Sequence, residues 1–197
     1  LLDLAEQNNW TVKELRHAKA APTGPPPELP AGQYSVILAD PPWRYEAATA
    51  RPQDSIENQY PTMALDDICD LNIADLAADK CVLFLWATSP KLEESMQVVG
   101  AWGFNYRTCA IWDKERIGLG YYFRQQHELL LIAVRGAPPV PEPVARRSSV
   151  IRAKRQEHSR KPDVVYEIIE AMYPGRPKIE LFARRPREGW AAWGNES

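Results

Sequence analysis

Cys81-Val82-Leu83-Phe84-Leu85-Trp86 is an unbroken apolar run in a chain that is otherwise a quarter charged. A run that short cannot span a bilayer, and its lack of alternation predicts a strand covered on both faces. The surrounding pattern supplies the cover. Tyr34 to Ala39 predicts an earlier strand, and Thr62 to Asp79 predicts a helix burying Leu65, Ile68, Leu71, Ile73 and Leu76. Ser89-Pro90 predicts a cap and first turn for a helix reaching Val99. Tyr106 to Trp112 and Glu128 to Val134 predict two strands around a Gly118-Leu119-Gly120 loop. Pro162 opens a helix with Val165, Ile168, Ile169 and Met172 on one face. Pro174-Gly175 closes it before a strand from Lys178 to Ala183. Strands alternating with helices imply an α/β fold with a mainly parallel sheet and helices on both faces.

The first thirty residues read differently. Leu1 to Asn9 predicts one helix, and the Thr11-x-x-Glu14 capping box starts another ending near Ala20. The pair reads as a helical arm more readily than as a helix-turn-helix remnant, since no basic recognition face accompanies it. The prolines from Pro22 to Pro30 then form a linker, leaving 31–197 as one domain. The first residue, Leu1, leaves open an upstream domain. Cys69, Cys81 and Cys109 match no metal-ligand spacing, so no metal site is expected and the thiols read as reduced. With no apolar run near the ~20 residues of a membrane span and no signal peptide, the expected location is cytoplasmic.

Ligands of open α/β sheets bind beyond the carboxyl ends of the strands, and Asp40 stands there. In Asp40-Pro41-Pro42-Trp43 the prolines donate no hydrogen bond, so a carboxylate and a proline carbonyl can both act as acceptors toward an exocyclic amine. Accepting both N–H groups localises the nitrogen lone pair and aims it at an electrophile. Trp43 would supply a stacking face. A buried tryptophan at a proline-rich strand end is the structural alternative.

Ala39-Asp40-Pro41-Pro42-Trp43 resembles the hallmark of the DPPW-type adenine-N6 methyltransferases, the family of the catalytic subunit of the eukaryotic messenger-RNA methylating complex and of many bacterial and phage members. Further blocks are similar and stand in the family's order from about residue 34 to 196. They are Tyr60-Pro61-Thr62-Met63, Leu71-Asn72-Ile73, Leu83 to Thr88, Ile111 to Lys114, His158 to Asp163, Lys178 to Arg184 and Trp193-Gly194-Asn195. The resemblance implies a Rossmann-like methyltransferase using S-adenosyl-L-methionine. It assigns Asp40, Lys161, Arg184, Asn195 and Glu196 to the cofactor and Glu128 to the substrate side. No Gly-x-Gly-x-x-Gly loop is present, which counts against a dinucleotide enzyme and is neutral for a cofactor without pyrophosphate.

The net charge is only −2, yet Arg146 to Lys161 holds seven cations and one acid. Arg146, Arg147, Arg152, Lys154 and Arg155 therefore read as phosphate contacts, with a solvated charge run as the alternative. Tyr45, Tyr60, Tyr121 and Tyr122 are candidates to stack bases. The expected partner is nucleic acid, with DNA slightly favoured over RNA, and a homodimer is compatible with so small a catalytic domain. The competing functions are a non-catalytic nucleic-acid scaffold and methylation of a protein amide.

Overall fold

A computed structural model describes residues 28–45, 62–120, 122–155 and 160–194. The two N-terminal helices, residues 46–61 with Tyr60 among them, Tyr121, Asn195 and Glu196 lie outside the described residues.

The central run grows into the longest strand. In chain order the strands are β1 (Tyr34–Ala39), β2 (Ala77–Ala87), β3 (Asn105–Asp113), β4 (His127–Arg135), β5 (Val150–Arg152), β6 (Lys178–Leu181) and β7 (Ala191–Trp193). The helices are α1 (Leu65–Cys69), α2 (Ile73–Leu76), α3 (Leu92–Ala101) and α4 (Val164–Met172). The sheet order is β5-β3-β4-β2-β1-β6-β7. Only β4 runs against its neighbours, pairing antiparallel with both β2 and β3. The ends of β1, β2, β3 and β6 and the start of β4 consequently meet at one edge.

Side-chain alternation along β1 and β2 divides the core in two. Ile37, Ala39, Leu83 and Leu85 face a layer with Ile68, Ile73, Val98 and Trp102. Val36, Leu38, Val82, Phe84 and Trp86 face Val165, Tyr166 and Ile169 of α4. Each fully buried aliphatic or aromatic side chain contributes roughly 1.5–3 kcal/mol, so the β1–β2 pair is a rigid mount for whatever follows it.

Several expectations need correction. The helix expected over 62–79 is two short helices, because Asn72 leaves helical angles (ψ 59°) and Ala77 is already extended. Leu65, Ile68, Leu71, Ile73 and Leu76 still lie in or against the core. Ser89 does not cap α3: its hydroxyl meets the side chains of Gln125 and His127, both at 3.2 Å. Thr88 precedes a 3-10 turn there instead, and α3 starts at Leu92. The strand at 178 stops at Leu181, since Phe182 takes a positive φ of 61°. β5 and β7, three residues each, carry too little pattern to be read.

Candidate active site

Asp40 follows the last residue of β1, and its amide donates to Leu181 O on β6 (3.4 Å). Leu38 and Asp40 are two residues apart, so Asp40 projects toward the α4 side of the sheet. There Lys161 reaches it: Nζ lies 2.9 Å from Asp40 Oδ1 and 3.2 Å from Glu128 Oε2. Lys161 Nζ also stands over the Trp86 ring, 5.4 Å from its centroid. Glu128 is held from the other side by Lys114, at 3.4 Å. Glu128 is the second residue of β4, opposite Trp112.

Two lysines and two carboxylates thus balance in a partly enclosed cluster. Burial opposes charge on both Glu128 and Lys161, yet the opposite charges outweigh it. The Glu128 carboxyl is lowered by Lys161 and Lys114, and the Lys161 ammonium is raised by Asp40 and Glu128.

Sequence reasoning missed a third acid on the same face. Glu180 pairs in register with Leu38 and accepts a 2.7 Å hydrogen bond from Tyr166 of α4. Burial and the nearby Asp40 raise its carboxyl above the ordinary glutamate value, although Tyr166 acts against them. One acid inside the apolar Ile179–Ala183 stretch was the available signal.

The tetrapeptide does not act as one surface. Trp43 is only 7% exposed, belongs to the opposite core layer and donates from Nε1 to Trp86 O at 3.3 Å. Its expected role as an open stacking plate is therefore corrected. The chain turns sharply there, with Trp43 N–H donating to Pro41 O (2.8 Å), which swings the indole under the loop. Pro42 O accepts from Met63 N–H (2.9 Å). Each carbonyl oxygen has a second lone pair, so Pro41 keeps acceptor capacity. Tyr45 is half-buried, its hydroxyl 2.7 Å from Thr88 Oγ1 and its ring 5.4 Å from Lys91 Nζ.

Beyond β6, Gly194 packs on the backbone of Phe182 and Ala183, where a Cβ would lie 2.7 Å from Ala183 N. Gly194 thereby sits against the turn that leads into the exposed Arg184. Arg185 and Arg160 both bind Asp163, the latter at 2.7 Å. The basic segment is more structured than a charge run. Arg146, Arg147, Lys154 and Arg155 are exposed, and Arg152 sits on β5, 4.0 Å from Asp113. Lys161, counted with them in sequence, belongs to the acid cluster instead.

An α/β sheet with one reversed strand and an acid–lysine site at its carboxyl edge is a Rossmann-like arrangement, and the similar proteins make it that of a methyltransferase. The chain belongs to the MT-A70 family, whose model matches residues 34–196. It is 35% identical over 187 residues to a type II methyltransferase, M.MunI, from Mycoplasma sp, covering 86% of this chain and 80% of that one. Over 175 residues it is 32% identical to the N(6)-adenosine-methyltransferase catalytic subunit METTL3 of Homo sapiens and 33% identical to an MT-A70-like relative from Arabidopsis thaliana. Those two alignments cover 84% of this chain but only 28% and 24% of the relatives. Among the described residues, no helix is long and apolar enough to cross a membrane, and no group of three His, Cys, Asp or Glu could hold a metal ion.

Proposed function

We propose that this chain methylates the exocyclic N6 amine of adenine in DNA, using S-adenosyl-L-methionine. The observation that carries the reading is the Asp40 carboxylate, mounted at the carboxyl edge of the sheet and paired with Lys161 at 2.9 Å. The site suits a cationic cofactor. Asp40 and Glu180 place two acids on one face, and the absence of a side chain at Gly194 lets the end of β7 close onto the Phe182–Ala183 turn beside Arg184. Lys161, Arg184, Asn195 and Glu196, with Asp40, are the residues that would hold it.

When bound, S-adenosylmethionine supplies an electrophilic methyl group on a sulfonium. Asp40 and Pro41 O accept the two amine N–H groups, so the lone pair points away from the ring and toward that methyl. As the N–C bond formed and the methyl–sulfur bond broke, its electron pair remaining on a neutral thioether sulfur, the amine would gain positive charge that Asp40 is positioned to stabilise without reorganisation. The surplus amine proton leaves after transfer, with Asp40 as its nearest acceptor. Lys161 keeps Asp40 and Glu128 from repelling each other and fixes their orientation. The exposed cations from Arg146 to Arg155 hold the phosphate backbone.

The preference for DNA draws on the M.MunI similarity, which covers most of both chains. RNA is the alternative favoured by the METTL3 similarity. Incubating the protein with methyl-labelled cofactor and matched single-stranded DNA, duplex DNA and RNA, then digesting to nucleosides for mass spectrometry, separates them. N6-methyladenine in the deoxy pool is expected. Label in RNA alone would reverse the polymer assignment, and no label in any pool would remove the catalytic reading.

A further inference from the structure

The hairpin tip between β3 and β4 exposes an unusual set of side chains. Leu119 and Phe123 are 84% and 82% exposed, Ile117 is 63% exposed, and Tyr122 is wholly so. Several large apolar side chains exposed on one loop mark a contact surface. Hydrogen bonds close the hairpin just below this tip. Gly118 N–H donates to Gln125 O (2.8 Å), Gln125 N–H to Leu119 O (3.0 Å), and Arg124 Nε to Gly118 O (2.7 Å). Side chains at Gly118 or Gly120 would run into the backbone of Gln125 or Phe123, so the two glycines allow the strands to close. The apolar side chains are what this closed turn presents outward.

Its position is also specific. The hairpin leaves the edge of the sheet that carries Asp40. Its base is tied to the site through Lys114–Glu128–Lys161–Asp40 and through Gln125 and His127 to Ser89. Two exposed arginines, Arg116 and Arg124, accompany one exposed acid, Glu115, in the hairpin, and Arg152 on the neighbouring edge strand reaches Asp113 at its foot. An apolar tip beside this basic edge complements a polyanion whose interior is apolar.

We propose that this tip is a wedge that enters the DNA duplex where the target adenine leaves it. Leu119 and Phe123 fill the vacated stack, and the flanking arginines hold the phosphates. The inference rests on the adenine-methylating reading and deepens it. An adenine in duplex DNA cannot reach Asp40 without leaving its stack, and unstacking costs a few kcal/mol that inserted apolar side chains offset.

The test compares wild type with Leu119→Ser/Phe123→Ser on a duplex whose methylated adenine has been mapped with the wild-type protein. A second duplex has an abasic position opposite that adenine. Removing the wedge should slow methylation of the paired duplex about tenfold or more, and that of the abasic duplex by less than about threefold. With 2-aminopurine at the target position, the fluorescence rise on binding should fall in the variant. Both residues are solvent-exposed, so the melting temperature should be unchanged. An equal slowing on the two duplexes overturns the wedge. So does a variant that light scattering shows to be monomeric where wild type is dimeric, which would make the tip a subunit interface. Wild type that methylates no duplex at the mapping stage refutes the parent reading and the wedge with it; wild type active on both test duplexes isolates the wedge as the point under test.

Discussion

Lys161 Nζ and Asp40 Oδ1 lie 2.9 Å apart, although the residues come from opposite halves of the chain. The strand that ends in Asp40 and the loop that leads into α4 converge there, and Glu128 joins from β4 at 3.2 Å. Three separate elements therefore have to be in place before the site exists. Its integrity reports on the whole fold, while its chemistry rests on a few atoms.

Asp40→Ala is expected to cut methyl transfer by about 100-fold or more, the scale seen when one preorganised electrostatic stabiliser is removed. The cut end of β1 is at the surface of the core, so the melting profile should remain cooperative. Retained turnover in the labelled-methyl assay would release Asp40 from its role.

Lys161→Met leaves Asp40 and Glu128 facing each other without their shared cation. One carboxyl should then hold its proton to higher pH, displacing the acidic limb of the pH–rate profile upward. Adding Glu128→Gln should move that limb back. An unshifted limb in the single variant would mean the lysine acts elsewhere.

Glu180 gives a stability signature. Burial raises its folded-state pKa, with Asp40 adding to the effect. The folded chain therefore binds more protons than the unfolded chain above the ordinary glutamate value of about 4.3. Stability from this group falls as pH rises from there through the raised folded value. Glu180→Gln keeps a partner for Tyr166 and removes the titration. Thermal melts of the variant should lose that decline; a parallel pH dependence in the two proteins would contradict it.

Gly194→Ala puts a methyl against the Ala183 backbone, 2.7 Å from its nitrogen, where Ala183 N–H already donates to Trp193 O at 2.9 Å. Overpacking of this kind costs about 1–3 kcal/mol. The turn beside Arg184 should shift as well, so calorimetry should show weaker S-adenosylmethionine binding along with the lower melting temperature. Unaltered affinity would separate this turn from the cofactor.

Replacing Arg146, Arg147, Arg152, Lys154 and Arg155 together should weaken DNA binding and flatten its salt dependence. Every phosphate that no longer meets a cation reduces the steepness of log K against log salt by about 0.9. An unchanged slope would make the segment a solvated face.

The sequence by itself determined the reaction site's address and the class of fold. The run Cys81 to Trp86 required cover on both faces, and Asp40 at a strand's carboxyl end marked where chemistry belongs. These are local properties, written in hydrophobic pattern and in the rigidity of proline. Pairings between distant segments carry no such local mark. Only the tertiary structure reversed β4, made Lys161 the shared partner of Asp40 and Glu128, and added Glu180 and Tyr166 to the same face. It also divided Asp40-Pro41-Pro42-Trp43. Side chains alternate across a strand, so Asp40 faces α4, while the turn after Pro41 buries Trp43 in the opposite layer. What reads as one motif along the chain is a carboxylate on one side of the sheet and a core tryptophan on the other.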